Sequence, residues 1–414
     1  YAALQIEAQP SKRKKRPYLI LSLLTNLGIL IYFKYANFFI ENFVEAFSLF
    51  GYHPSGYSLN IILPVGVSFY TFQTLSYTID VYRGNMKPTK NVVAFFSYVS
   101  FFPQLVAGPI ERASSLLPQF LKERTFSFSK GRSGVRQILW GLFKKIVIAD
   151  NCAKLANDIF NNYQDYDSGM LILGALYFSF QIYGDFSGYS DIAIGTARLF
   201  GFNLMTNFRY PYFSRDIAEF WRRWHISLSS WFKDYVYIPL GGSKGGKLLN
   251  IRNIFIIFLV SGIWHGANWT FLFWGFLNAV YFLPLYISGV NRKHNSKYYD
   301  SHPLARLKDI SLILITFCLT MLAWIFFRSP SITDGFLYIK EIYALDFNSI
   351  SFRYLKYLPL IALLVTWEWI MQTKPHGLAF VKIKRPLRWA VYFCLIWGIF
   401  YFFGSEEEFI YFQF

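Results

Sequence analysis

Apolar positions in this 414-residue chain gather into long unbroken runs, not into the alternating or one-sided patterns of a water-soluble fold. At about 20 apolar residues per crossing, they predict spans near 18–36, 59–82, 170–200, 250–266, 268–288, 309–328, 354–372 and 389–404. Two stretches read differently. Residues 92–107 are apolar, but Pro103 and the pair Gly108-Pro109 break them. That predicts a half-crossing that turns back where protein or water covers the freed backbone. Gly131 to Asp150 interleaves charge with Leu139, Trp140, Leu142, Ile146 and Val147, and reads as an amphipathic helix lying in the cytoplasmic interface. No repeat, linker or soluble domain interrupts the pattern. Residues 1–414 are therefore expected to form one all-α, polytopic membrane domain.

Composition strengthens this reading. Hydrophobic residues make up 54% and aromatics 21%, above the ~45–50% apolar content of soluble domains. The net charge of +17 would suit nucleic acid, but its distribution does not. Positives cluster beside apolar runs: Lys12 to Arg16; Lys244, Lys247 and Arg252; Arg292-Lys293 through Lys308; Lys382 to Arg388. That is how cytoplasmic retention of Lys and Arg marks a membrane protein. With no nucleic-acid motif present, the expected surroundings are membrane lipid and not DNA or RNA. Taking the basic segments as cytoplasmic, the 250–266 span rises outward. His265 then lies about 20 Å above its basic edge, inside a hydrocarbon core ~30 Å thick. Cys152, Cys318 and Cys394 offer neither a disulfide framework nor a metal-ligand spacing. The chain opens at Tyr1 without a methionine or a cleavable signal pattern, so further segments are expected before it.

Three polar interruptions could carry chemistry. In Ser261-Gly262-Ile263-Trp264-His265-Gly266-Ala267-Asn268-Trp269, one imidazole stands between two apolar runs. Ionisable groups at that depth usually face a cavity and act there; the alternative is a core histidine donating to a backbone carbonyl. In Ser214 to Tyr235, Asp216 and Glu219 have the spacing of an N-cap and its N3 partner. Ile217, Trp221, His225 and Leu228 follow at helical spacing on one face. Interfacial anchoring explains the tryptophans and arginines, but leaves His225 without a purpose. In Gln181 to Asp191, each of Asp185 and Asp191 costs ~2.5–3.5 kcal/mol at mid-helix. Gly184 and Gly188 would permit a helix break that turns carboxylates toward a cavity. Pairing with Arg198, Arg209 or Arg215 is the structural alternative.

Gly241 to Lys247 fails the phosphate-loop spacing, since Leu248 follows Lys247. It reads as a flexible basic turn where Lys244 and Lys247 could attract an anionic cofactor. No Gly-x-Ser-x-Gly elbow and no His-Glu-x-x-His site occurs. Two histidines forty positions apart remain. They suit proton removal from a hydroxyl, as in acyl transfer from a thioester, for which no metal is needed.

Phe208 to His225, Trp231-Phe232-Lys233-Asp234-Tyr235 and Ser261 to Gly266 resemble motifs of the membrane-bound O-acyltransferase family. The likeness is to its branch that O-acetylates exported polysaccharides such as alginate. Gly108-Pro109-Ile110, Asp185 to Asp191 and the ending Phe409 to Phe414 are similar to that branch as well. The resemblance implies tilted and re-entrant helices around a central funnel or tunnel. It also implies passage of an acetyl group from a cytoplasmic thioester to an acceptor across the membrane. His265 matches the family's catalytic histidine and His225 its second, more variable position, while Asp234, Trp264 and Asn268 would be neighbours along the substrate path. Acetyl-CoA would be the donor, with no permanently bound cofactor. A periplasmic hydrolase-like partner and secretion machinery would sit beside the protein in a bacterial inner membrane, and the family's first helices would precede Tyr1. A donor tunnel of ~20 Å, by helix rise, would then run between 170–200 and 250–288. Two other readings stay open. One is a transporter of acyl groups or lipid-linked glycan with His and Asp as proton relay. The other is an acyltransferase of different substrate: D-alanyl to teichoic acid, peptidoglycan or lipid.

Overall fold

Long apolar runs become long helices because, away from water, only an intrahelical ladder satisfies every backbone group. The computed structural model describes residues 1–52, 59, 61–292, 307–347, 352–380, 383–404, 407 and 409–410. The basic stretch 293–306, Lys382 and residues 411–414 of the ending lie outside the described residues. The chain opens with α1 (Ala2–Ala8), α2 (Lys12–Ser48) and α3 (Val67–Arg83), then the short α4 (Val92–Val99), α5 (Phe102–Leu105) and α6 (Ala113–Leu121). Helix α7 (Phe128–Leu142) continues through a π-helical stretch, Phe143–Ala149, into α8 (Asp150–Asn161), and α9 (Ser168–Leu199) returns beside it. Two short helices follow, α10 (Ile217–Arg223) and α11 (Ile226–Phe232), and then the hairpin of α12 (Lys247–His265) and α13 (Trp269–Ile287). The last group is α14 (Leu307–Arg328), α15 (Ile332–Ile342), α16 (Phe352–Leu355), α17 (Leu358–Met371) and α18 (Arg385–Phe402). Among the described residues there is no β-strand.

Among the described residues, five helices are long and apolar enough to cross a membrane: Lys12–Ser48, Lys247–His265, Trp269–Ile287, Asp309–Arg328 and Phe352–Met371. Exposed Leu24, Phe43, Phe393 and Trp397 give α2 and α18 the apolar exterior that lipid requires. The protein is therefore an all-α, multi-pass integral membrane protein. The expected 59–82 span is helical only from Val67, because Gly66 adopts a left-handed conformation (φ 77) at the helix start. A Cβ on Gly66 would lie 2.4 Å from the Leu105 carbonyl oxygen, so glycine is required there. The 92–107 segment is broken as its Pro and Gly predict. Helix α4 is 8 residues and α5 is 4, each too short to cross at 1.5 Å per residue.

Two expectations fail at the core, and for one reason. Residues 131–150 do not form a surface helix, and Gly184 and Gly188 do not break α9, which is continuous over 32 residues. The glycines instead bring two long helices together antiparallel. A Cβ on Gly134 would stand 2.6 Å from the Gly195 carbonyl oxygen, and one on Gly141 2.5 Å from that of Gly188. Small residues at such contacts let membrane helices approach backbone to backbone. Two charges of the 131–150 segment are then neutralised inside, Lys144 by Asp191 at 2.6 Å and Lys145 by Asp185 at 2.7 Å, while Arg132 stays exposed. A similar approach locks α12 to α13, where a Cβ on Gly262 would lie 2.3 Å from the Phe271 carbonyl oxygen.

Candidate active site

The site is built where α12 ends. His265 is its last residue, and extended Gly266 (φ −167, ψ 161) carries the chain away without capping it. A Cβ on Gly266 would come within 2.0 Å of the Phe271 ring, so the turn admits no side chain. Asn268 restarts α13 by accepting from the Thr270 N–H at 2.9 Å. The final carbonyls of a helix have no intrahelical donor, and here α2 supplies them. Tyr35 Oη donates to the Ile263 carbonyl at 2.6 Å, and Lys34 Nζ donates to those of Trp264 at 2.9 Å and His265 at 2.8 Å.

His225 reaches the same place from the other side. Helix α10 begins as expected, with Asp216 Oδ1 accepting from the Glu219 N–H at 2.6 Å. The Glu219 carboxylate returns to the Arg215 N–H at 2.8 Å, one residue upstream of the cap. The single helical face expected through Ile217, Trp221, His225 and Leu228 is not formed. The helix stops at Arg223, and His225 is left-handed (φ 43) at the start of α11. That conformation is uncommon outside glycine, and it takes the imidazole out of any stripe. The ring is fully buried, edge-on to Phe186 at 4.5 Å between centroids.

Asn207, which the sequence did not single out, decides the state of that ring. Its Oδ1 accepts from the Ser227 N–H at 3.2 Å and from Ser227 Oγ at 2.8 Å, which identifies it as the amide oxygen. His225 Nδ1 lies 3.1 Å from the same atom, so Nδ1 carries the hydrogen and Nε2 the lone pair. Nε2 is buried with no hydrogen-bond partner among the described residues. Burial first, and the charge of a protonated His265 second, hold the His225 pKa well below the usual histidine range. The ring is a neutral acceptor at physiological pH.

Trp264 joins the two histidines. Its indole centroid is 5.9 Å from the His225 ring and 4.9 Å from that of His265. Trp274 and Phe327 stand edge-on to His265 at 5.1 and 5.3 Å. Cavities approach from two directions. One of about 280 Å³ follows α12 from Ser243 and Arg292 to Ser261, one turn short of His265, with Lys233 and Leu228 on its wall. The other, about 150 Å³, begins at Trp264 and His265 and is bounded by Lys34, Ser68 and Val106. The wall facing α12 in the larger cavity comes from α10, α11 and the turn after them. Of the two walls expected for a donor tunnel, the 250–288 segment lines this cavity with Ile257, Phe258 and Phe282, and the 170–200 segment does not line it.

The remaining expected residues separate. Asp185 accepts from the Ile410 N–H at 2.8 Å and pairs with Lys145. Asp191 pairs with Lys144 and lines a separate small polar cavity beside Glu368 and His376. The partners are lysines of the neighbouring helix, not the expected arginines; Arg198 reaches Asp191 only through Gln137. Asp234 pairs with Arg112 at 2.6 Å. Asn268 donates to the Pro330 carbonyl. Lys244, next to the cavity-lining Ser243, and Lys247, the first residue of α12, are both exposed, and neither lines the larger cavity. No cluster of metal-ligating side chains occurs among the described residues.

Fold and site together define a multi-pass membrane protein in which buried His265 lines a cavity and His225, buried beside the same indole, lines neither of the two. The sequence model of the membrane-bound O-acyltransferase family matches residues 88–300, and the chain belongs to that family. It is 40% identical over 330 residues to a probable alginate O-acetylase AlgI of Pseudomonas syringae, covering 80% of this chain and 60% of that protein. A peptidoglycan O-acetyltransferase of Helicobacter pylori is 37% identical over 373 residues, 84% of this chain and 68% of its own length. A teichoic acid D-alanyltransferase of Bacillus subtilis is 28% identical over 274 residues, 62% of this chain and 67% of its own. The chain thus spans about three fifths of the length of the alginate O-acetylase relatives.

Proposed function

We propose that the protein is an O-acetyltransferase that passes an acetyl group from cytoplasmic acetyl-CoA, across the inner membrane, toward an exported polysaccharide. The observation that carries this reading is the position of His265, at the head of one cavity and one turn beyond the end of the other. A donor thioester in the larger cavity would present its carbonyl at the end of α12. The acceptor hydroxyl would arrive through the smaller one. His265 takes the hydroxyl proton as the oxygen attacks the thioester carbon; the tetrahedral intermediate then collapses, the C–S bond breaks, and the imidazolium returns the proton to the leaving thiolate. His225, a neutral acceptor through Nε2, would orient an N–H or O–H of the donor. Lys233, Arg292, Lys244 and Lys247 give the donor's phosphates a basic approach. The acceptor would be the polymer or a relay hydroxyl on a periplasmic hydrolase-like partner working with the secretion machinery. Acetyl is favoured over D-alanyl as the transferred group by the higher identity to the O-acetylating relatives.

His265→Ala is expected to abolish acetylation of the exported polymer at normal protein levels, since a general base contributes ~10²–10⁴-fold. Full acetylation in cells carrying only this variant would refute the assignment. In oriented vesicles, donor should be consumed only from the face that carries the basic turn.

A further inference from the structure

Between Arg16 and Glu41 the chain has a single charged residue, Lys34. It lies on α2, a helix that is mostly exposed along its apolar length, and so it could have faced lipid or a helix end. Instead its ammonium donates to the carbonyls of Trp264 and His265, and Tyr35 beside it donates to Ile263. Two turns further on, Asn42 accepts from the Trp269 indole N–H at 2.7 Å. One face of α2 therefore holds the whole turn from Ile263 to Trp269. The Lys34 ammonium also sits 5.9 Å from the Trp264 ring centroid and shares with His265 the wall of the 150 Å³ cavity.

We propose that Lys34 is a positioning residue for acyl transfer: it fixes the last turn of α12 and thereby the directions in which Trp264 and His265 project. This rests on the reading of His265 as the base. The terminal carbonyls of a helix carry partial negative charge, which a cation at that end offsets. Water entering from the adjoining cavity could solvate these carbonyls, but a mobile water would not hold the turn in one place as a tethered ammonium does. Without the ammonium the last turn is free to tighten or fray, and an imidazole displaced by about 1 Å loses on the order of 10²-fold in rate.

The test uses purified full-length protein in lipid nanodiscs, measuring thiol release from acetyl-CoA. Lys34→Met keeps the length of the side chain without its donors. Its kcat should fall about 10- to 100-fold, while KM for acetyl-CoA stays within about twofold, because Lys34 does not line the larger cavity. Lys34→Arg restores a donor pair and should recover most of the lost kcat. Tyr35→Phe removes one carbonyl donor without touching charge and should lower kcat alone, by a few fold. A packing role would lower Met and Arg variants alike, together with the yield of monodisperse protein. Wild-type kcat in Lys34→Met, or an Arg variant as slow as the Met variant, overturns the proposal. Should the Met variant not yield monodisperse protein, an unchanged kcat in Tyr35→Phe overturns it instead. Turnover retained by His265→Ala would sink the underlying reading, whereas an inactive His265→Ala beside a fully active Lys34→Met sinks this proposal only.

Discussion

Asn207→Leu tests how His225 is held. The amide is fully buried and makes four bonds: from His225 Nδ1, from Ser227 N–H and Oγ, and to Ser190 Oγ at 3.2 Å. Leucine has similar volume and removes them all. Ser227 Oγ lies 3.4 Å from His225 Nδ1 and can turn toward it, so about two groups remain unpaired, the Ser227 backbone N–H among them. At ~1–3 kcal/mol per buried unsatisfied group, the cost is roughly 2–6 kcal/mol, tolerable within a typical stability of ~5–15 kcal/mol. The effect on turnover is separate. A hydroxyl can donate or accept, so Ser227 no longer enforces hydrogen at Nδ1, and Nε2 loses its fixed lone pair. Acetyl transfer should fall about 10- to 100-fold, within the range for misdirected acid–base groups. The assay is thiol release by purified protein alongside thermal unfolding, for Asn207→Leu, His225→Leu and the double variant. If Asn207 acts through His225, the double variant is no slower than His225→Leu within about threefold. Losses that multiply would show that the two act independently and would refute the argument.

Three further outcomes are expected. His225→Asn should retain more activity than His225→Leu, because asparagine tolerates the left-handed backbone and still offers an acceptor; equal activity of wild type and the leucine variant would reduce His225 to packing. Reversing Lys244 and Lys247 to glutamate should raise KM for acetyl-CoA more than it lowers kcat, an effect that added salt weakens because both are exposed. Glu111, outside the spans, accepts from the Met205 N–H near the start of the segment that carries Asn207, and burial raises its pKa from 4.5 to about 7. In that interval the folded state holds a proton that the unfolded state has released. Stability should therefore be full below about 4.5 and fall as pH rises through about 7, by something of order 3 kcal/mol. Melting curves of Glu111→Gln should lose this dependence, and an unchanged slope would show that the carboxyl is not its source.

Most helices were legible in the sequence because hydrocarbon leaves a long apolar run little choice but a helix. Asp216 as a cap and His265 at the end of an apolar helix were legible for similarly local reasons. What hydropathy could not show was which polar groups face one another. Glycines at 184 and 188 look like a break until the glycines of α7 are seen against the same helix. Lys144 and Lys145 look interfacial until their carboxylate partners appear. The placement of His225 depended on a left-handed residue, which no periodicity predicts. Asn207 and Lys34 act on residues 18 and more than 200 positions away. One signal was there to be read: a lone lysine in an apolar helix needs a partner. Composition and spacing fixed the solvent, the helices and the two histidines. Only tertiary packing put both imidazoles against one indole, because that contact is made between segments that share no local pattern.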